Sequence, residues 1–349
     1  MDISRYHVLL KQMLNEKTVD DQNSNSRVLI VDGLNTFIRA YAASPTTNSD
    51  GEHIGGISGF LLSIGHAIKA INPTRVIITF DGKNGSARRR SIYPDYKANR
   101  KVKIRLNRSE TVDKQDTQLQ QLVRLIKYLE IMPVTTIVVD GAEADDVIAY
   151  IANDYLLDKE SQVFIMSTDK DFMQLVNEQI HVWSPTKKKM FYASDVIEDF
   201  QVPPENFALY RALIGDNSDN IPGAAGLGSA TLLERFPKFA LEPMNIDEFF
   251  IYAKELALDS KVKIHDKVVA SEVDIRLYYE IIQLNISTMS MTNKMKIIGL
   301  MENPVSKLGK IKFHTMLVED KMTSAIKNVD MWLREITQKL DRFTLVDSQ

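Results

Sequence analysis

Apolar and polar positions follow two rhythms along this chain. Four short runs rich in Val and Ile, Arg27–Asp32, Arg75–Phe80, Thr135–Val139 and Val163–Ser167, show little polar alternation. That pattern predicts strands buried on both faces of a parallel sheet. Between them, apolar residues at i, i+3 and i+4 predict helices over Asn35–Ala43, Phe60–Ile71, Ser109–Glu130 and Val147–Leu157. Strands alternating with helices predict an α/β domain: a central, mostly parallel sheet with helices on both faces. Gly51–Gly59 reads as a glycine-rich turn, and Ile180–Trp183 with Lys188–Tyr192 as a hairpin at the sheet's edge.

From Ser194 onward the pattern becomes helical. Helices are predicted over Pro203–Gly215, Ser229–Phe236 and Ile275–Leu284, with a long terminal one over Met322–Leu340. Gly223, Gly226 and Gly228 separate the first two in a helix–hairpin–helix arrangement, continuing into Ser229. There backbone N–H groups at a tight turn can hold a duplex phosphate without reading sequence. The glycines lack the third Gly and the preceding strand of a dinucleotide fingerprint. At the other end, Ile3, Tyr6, Leu10, Met13 and Leu14 predict a short amphipathic helix, followed by a polar linker to Ser26. The expected parts are an extension and linker (1–26), a catalytic domain (27–198, with a basic arch at about 83–130), a hairpin-bearing helical region (199–300) and a terminal helical extension (301–349).

Composition narrows the chemistry. The 349 residues are 44% hydrophobic and 26% charged, ordinary for a soluble globular protein. Cys is absent, which excludes disulfides, thiol catalysis and Cys-bound zinc, and the six His residues have no metal-ligand spacing. No apolar run reaches the ~18 residues of a membrane span, and the start lacks a signal-peptide pattern. A cytoplasmic monomer without membrane contact is expected. The net charge of −3 hides a strong asymmetry. Ten basic residues lie between Lys83 and Arg108 against one acid, Asp95, so this segment carries +9 and the rest of the chain −12. Such a segment suits a polyanion. Tyr93 and Tyr96 interleave with its cations and could stack on bases, while Lys101–Arg108 is expected to form a mobile segment over the site.

The acids supply the other half. Asp32, Asp81, the group Glu143, Asp145 and Asp146, and the pair Asp169 and Asp171 all follow predicted strands; Asp216 and Asp219 sit in Gly-Asp-Asn-Ser-Asp-Asn. Sites in open α/β sheets form at the C-terminal edge of the strands. If the sheet is parallel there, nine carboxylates converge, and bound cations are needed to hold them together. Oxygen-only ligands suit a hard cation, Mg²⁺ or Mn²⁺.

Six ordered stretches carry a resemblance: Val31-Asp32-Gly33, Phe80-Asp81-Gly82, Tyr96-Lys97-x-x-Arg100, Glu143-Ala-Asp145-Asp146, Ser167-Thr168-Asp169-Lys170-Asp171 and Gly215-Asp216-x-x-Asp219-Asn220-Ile221-Pro222-Gly223. Together they resemble the 5′ nucleases of the flap endonuclease family, including phage 5′ nucleases and the 5′→3′ exonuclease domain of bacterial DNA polymerase I. The resemblance implies a PIN/5′-nuclease-like fold and a Mg²⁺-dependent nuclease acting on flaps, nicked duplex DNA or RNA–DNA hybrids. It implies a first metal among Asp32, Asp81, Glu143, Asp145 and Asp146, and a second among Asp171, Asp216 and Asp219, with Asp169 between them. Lys97 and Arg100 would neutralise the scissile phosphate. Arg39, Lys83, Arg88 and Arg89 would contact DNA, and Tyr96 would stack on a base. The hairpin at Gly223–Gly228 and Ser229 would hold duplex phosphates, with K⁺ as a candidate ion. Where relatives carry Lys around the hairpin glycines this chain has Ala225 and Ser229-Ala230-Thr231, so Lys238 and C-terminal lysines become candidate anchors. A free-standing nuclease of a phage or similar replicon is expected, with a single-strand-binding protein or sliding clamp as candidate partner, the latter through Gln338–Phe343. Two alternatives stand beside this reading. A PIN-type ribonuclease shares the acidic edge but not the second acidic pair or the hairpin. A catalytically silent junction binder would have to tolerate carboxylates that repel DNA.

Overall fold

The computed structural model describes residues 24–99, 114–157, 161–260, 262–284 and 288–344. The predicted N-terminal helix, Arg100 and the basic stretch 101–113 lie outside the described residues. The strands are β1 (Arg27–Asp32), β2 (Arg75–Asp81), β3 (Thr135–Val139), β4 (Gln162–Met166), β5 (Ile180–Ser184) and β6 (Lys189–Phe191). They form one six-stranded sheet in the order β3-β2-β1-β4-β5-β6. All neighbours are parallel except β6, which returns antiparallel along β5 as the predicted edge hairpin.

The lack of alternation in the strand sequences is explained by the two cores. Val28, Ile30, Ile77, Val163 and Ile165 enter one; Leu29, Val31, Ile78, Phe164 and Met166 enter the other. The first core continues through the Ala144–Tyr150 and Phe207–Ile214 helices as far as Ile297 and Met301. The second lies under the Gly33–Ala43, Gly55–Ile71 and Lys114–Leu129 helices and is completed by Phe313, Leu317, Trp332 and Ile336. A Cβ added to Gly65 would stand 2.7 Å from Trp332 Nε1, so the terminal segment is seated directly on the Gly55–Ile71 helix. Arg124 and Tyr128 bond Asp320 at 2.8 and 2.6 Å, fixing the same segment to the Lys114–Leu129 helix.

Several elements depart from expectation. The helix predicted from Phe60 begins at Gly55, because its glycines serve close packing instead of a turn. A Cβ on Gly55 would meet Ser44 O at 2.2 Å, and one on Gly56 would meet Phe37 at 2.7 Å. The long terminal helix is only Val329–Thr337, since Lys321 and Asn328 adopt left-handed backbone with φ of 55° and 47°. The predicted Pro203–Gly215 helix divides into a 3₁₀ turn, Pro204–Asn206, and the Phe207–Ile214 helix. Leu340 is buried in the second core, so the stretch proposed as a clamp peptide is packed away at that position. Among the described residues no helix is long and apolar enough to cross a membrane.

Candidate active site

Because β3, β2, β1 and β4 are adjacent and parallel, their C-terminal ends share one edge, and every acid that follows them is delivered there. Strand order reverses between β1 and β4, the position at which α/β sheets open a crevice. Asp32 ends β1 and caps the Gly33–Ala43 helix, accepting from Asn35 N at 3.1 Å and from Ser167 Oγ at 3.0 Å. Asp169 N donates to the same Ser167 Oγ at 3.0 Å, and Asp169 Oδ1 accepts from Asp171 N at 3.0 Å. Asp171 Oδ1 then accepts from Arg211 Nε at 3.0 Å, and Arg211 Nη2 donates to Asp216. One hydrogen-bonded line therefore crosses the switch point from the first acid to the loop after the Phe207–Ile214 helix.

That loop is closed by paired backbone bonds between Asp216 and Ile221, at 2.7 and 2.8 Å. Gly215 and Gly223 flank it with φ of +85° and +70°. A Cβ on Gly223 would lie 2.5 Å from Gly215 N and 2.6 Å from Leu213 O, so no other residue fits without displacement. The closure brings one carboxylate oxygen from each of Asp171, Asp216 and Asp219 within 4.8 Å of one another. Among the described residues this is the one trio so placed.

The acids of β2 and β3 are arranged differently. Asp81 accepts from Ala144 N at 2.8 Å, binding β2's end to the start of the Ala144–Tyr150 helix. Glu143 and Asp146 are held by Arg89, whose Nη2 lies 2.7 Å from Asp146 and whose Nη1 reaches both carboxylates. Lys97 Nζ is 2.7 Å from Glu143, and Tyr96 Oη donates to it at 3.2 Å. Burial pushes the Asp32 carboxyl up to about 7, with Asp169 and Asp81 adding repulsion. Burial and the charges of Asp169, Asp219 and Asp216 likewise raise Asp171 to about 7, against the pull of Arg211. Asp145 is raised by burial and by Asp169 and Asp32. Burial would also raise Glu143, but Lys97 and Arg89 outweigh it and hold this carboxyl below its usual range. Glu143, held between two cations, stays charged; Asp32, Asp145 and Asp171 resist their own charge, and the single guanidinium beside Asp171 does not offset its burial and acidic neighbours.

Two residues expected at the DNA surface are inside. Arg89 is 3% exposed and donates to Ile281 O at 2.9 Å as well as to the acids. Tyr96 is also 3% exposed, its ring in the first core. In this state neither presents a face to a base or phosphate, because both are consumed in compensating Glu143. Arg39 and Lys83 are exposed, and Arg88 is partly exposed beside Glu280. In the hairpin, Gly226 and Gly228 are open to solvent, and Ser229 Oγ accepts from Tyr210 Oη at 2.9 Å, joining its two helices.

Sequence reading missed Arg211 and Asn220. Arg211's only signal was a cation one helical turn before an acidic loop. Asn220 accepts at its carbonyl from Tyr93 Oη, donates to Asp95 O at 3.0 Å and accepts from Asn99, while Lys97 N donates to Asp219 O. The base of the basic segment is thus fastened to the second acidic loop.

The family described as 5′-3′ exonuclease, N-terminal resolvase-like domain, matches residues 27–201. The chain belongs to the 5′-3′ exonuclease family. It is 29% identical over 314 residues to the 5′-3′ exonuclease of Aquifex aeolicus, covering 89% of this chain and 97% of that protein. With the 5′-3′ exonuclease of Buchnera aphidicola subsp. Schizaphis graminum it shares 35% identity over 216 residues, 61% of this chain and 70% of the relative. Its fold is that of the bacteriophage T5 D15 flap endonuclease, solved as a pseudo-enzyme–product complex with DNA and metal ions. That likeness has a TM-score of 0.58 at 22% identity and covers 84% of this chain and 99% of the T5 chain. The protein is therefore a nuclease of the 5′-3′ exonuclease family.

Proposed function

We propose that this nuclease is a structure-specific, divalent-cation-dependent 5′ nuclease. Its substrates are branched or nicked duplex DNA with a 5′ single strand and RNA–DNA hybrids, as in primer removal, and its products carry 5′-phosphates. The observation that supports this most is the Asp171, Asp216, Asp219 trio at the edge that also carries Asp32, Asp81, Glu143, Asp145, Asp146 and Asp169. The donor set is oxygen alone and fits Mg²⁺, with Mn²⁺ as substitute. In this reading the trio holds one ion, and Asp32, Asp81, Glu143, Asp145 and Asp146 surround another, with Asp169 between. When bound, two such ions supply an acidified water nucleophile and offset charge on the leaving oxygen.

The chain's own residues do the rest. Asp32 and Asp171, both resisting ionisation, give the edge its appetite for cations. Lys97, paired with Glu143 here, would offset the charge of the scissile phosphate together with Arg100. Arg39, Lys83 and Arg88 meet the backbone near the 5′ region. The hairpin from Gly223 to Ser229 holds the duplex through backbone N–H groups, with K⁺ a candidate ion there.

The test is cleavage of a 5′-flap duplex labelled at the 3′ end of the flap strand, in Mg²⁺ or EDTA, by wild type and Asp171→Asn. Mg²⁺-dependent cuts near the junction that disappear in the variant are expected. Tight binding without cleavage in Mg²⁺ or Mn²⁺ refutes the enzymatic reading and favours a junction binder. Preference for free single-stranded RNA points to a PIN-type ribonuclease.

A further inference from the structure

The second acidic group holds a cationic side chain that the hydrolytic chemistry does not call for. Arg211 lies in the last turn of the Phe207–Ile214 helix with its side chain 13% exposed. Its Nε donates to Asp171 Oδ1 at 3.0 Å and its Nη2 to Asp216 Oδ2. Asp216 has no idle oxygen, since Oδ1 accepts from both N and Oγ of Ser218 at 2.7 Å. Asp171 comes from the turn after β4 and Asp216 from the loop after the helix; the guanidinium is the bridge between them. It lies against two of the three carboxylates whose oxygens come within 4.8 Å of one another. A guanidinium is a permanently charged fork that does not deprotonate in proteins, so it vacates such a place only by moving.

We propose that Arg211 is the resident counter-ion of this trio: a positioning residue that keeps Asp171 and Asp216 together while no metal is bound, and releases them when a divalent cation enters. The inference rests on reading the trio as a cation site. Its consequence is that the ion must displace a charge already present, so this site binds metal more weakly than its carboxylates alone would.

Two measurements test it. In the wild type, the Arg211 Nε–H signal, assigned by its loss in Arg211→Lys, is followed during Mg²⁺ titration. Its exchange with water is expected to accelerate tenfold or more at saturation, and to stay slow in Asp216→Asn. In calorimetric Mn²⁺ titrations of metal-free protein, Arg211→Met is expected to bind one ion about tenfold more tightly than wild type, with Arg211→Lys between them. Metal binding with an Nε–H that stays protected, or equal or weaker binding by a folded Arg211→Met, overturns the proposal and makes Arg211 a permanent brace. Should Arg211→Met not fold, the wild-type exchange measurement decides alone. If wild type and Asp216→Asn bind Mn²⁺ identically, the cation reading of the trio falls, and this inference with it.

Discussion

Replacing Arg89 by Met separates a buried counter-ion from a DNA contact. The Arg89 side chain is 4% exposed, and its partners Glu143 and Asp146 are 6% and 16% exposed, so solvent screens them little. Met fills comparable volume but leaves Asp146 without its guanidinium and Ile281 O without its donor. Glu143 keeps Lys97. Removing one partner of a buried pair costs about 3–5 kcal/mol, and an orphaned carbonyl about 1–3 kcal/mol. The two losses belong to one network and do not add, so a destabilisation of about 4 kcal/mol is expected. Urea denaturation in EDTA at neutral pH reads it as a lower midpoint at unchanged slope. The gap should narrow in acid. Glu143's folded value is depressed, so its contribution is present above the unfolded value of about 4.3 and is lost as pH falls through the folded one. With less depression the variant has less to lose. Unchanged stability, together with weaker DNA binding and a salt slope reduced by about one, would falsify the counter-ion account.

Two further outcomes follow from the same edge. Asp32 and Asp171 have folded values raised to about 7, so the folded metal-free protein binds more protons than the unfolded chain between about pH 4 and 7. Its stability should therefore fall as pH rises through that window, and saturating Mg²⁺ should flatten the profile; a metal-free melting curve that rises with pH there contradicts the assignment. Gly223→Ala forces a side chain into backbone contacts at 2.5–2.6 Å with φ of +70°. A cost of about 2 kcal/mol or more is expected, with duplex affinity falling further than single-strand affinity, and equal losses on both would remove the hairpin from duplex binding.

Much of the sheet was legible because parallel strands buried on both faces have no polar alternate to hide, as in Val28–Val31. Seven of the nine acids were legible for the same reason, following a strand into a turn or helix start, while Asp216 and Asp219 showed only as a polar loop after a helix. What escaped was long-range. Gly55 and Gly56 look like turn residues until Ser44 and Phe37 are seen against them. Arg89 sits in a run of three arginines that reads as surface, yet its partners lie more than fifty positions away and draw it inside. The same holds for Tyr96, which packs and bonds to Glu143 where stacking on a base was expected. Asn328 breaks a helix that periodicity continued, because a left-handed residue carries no mark in the apolar pattern.

The seat of Trp332 against Gly65 has a consequence for the order of events at birth. The acidic edge is complete once Asp219 has been made, but the second core, already under its three earlier helices, stays open on its outer side until Phe313, Trp332 and Ile336 arrive to complete it. At ~5–20 residues per second, synthesis from Asp219 to Trp332 takes about 6–20 s. Throughout that interval the nascent chain carries its full set of carboxylates while the apolar surface around Gly65 of the Gly55–Ile71 helix waits for its cover. Nascent-chain quality therefore hinges on the segment from Phe313 to Ile336, and a ribosome stalled before Trp332 displays a sticky, incompletely folded nuclease to the chaperones.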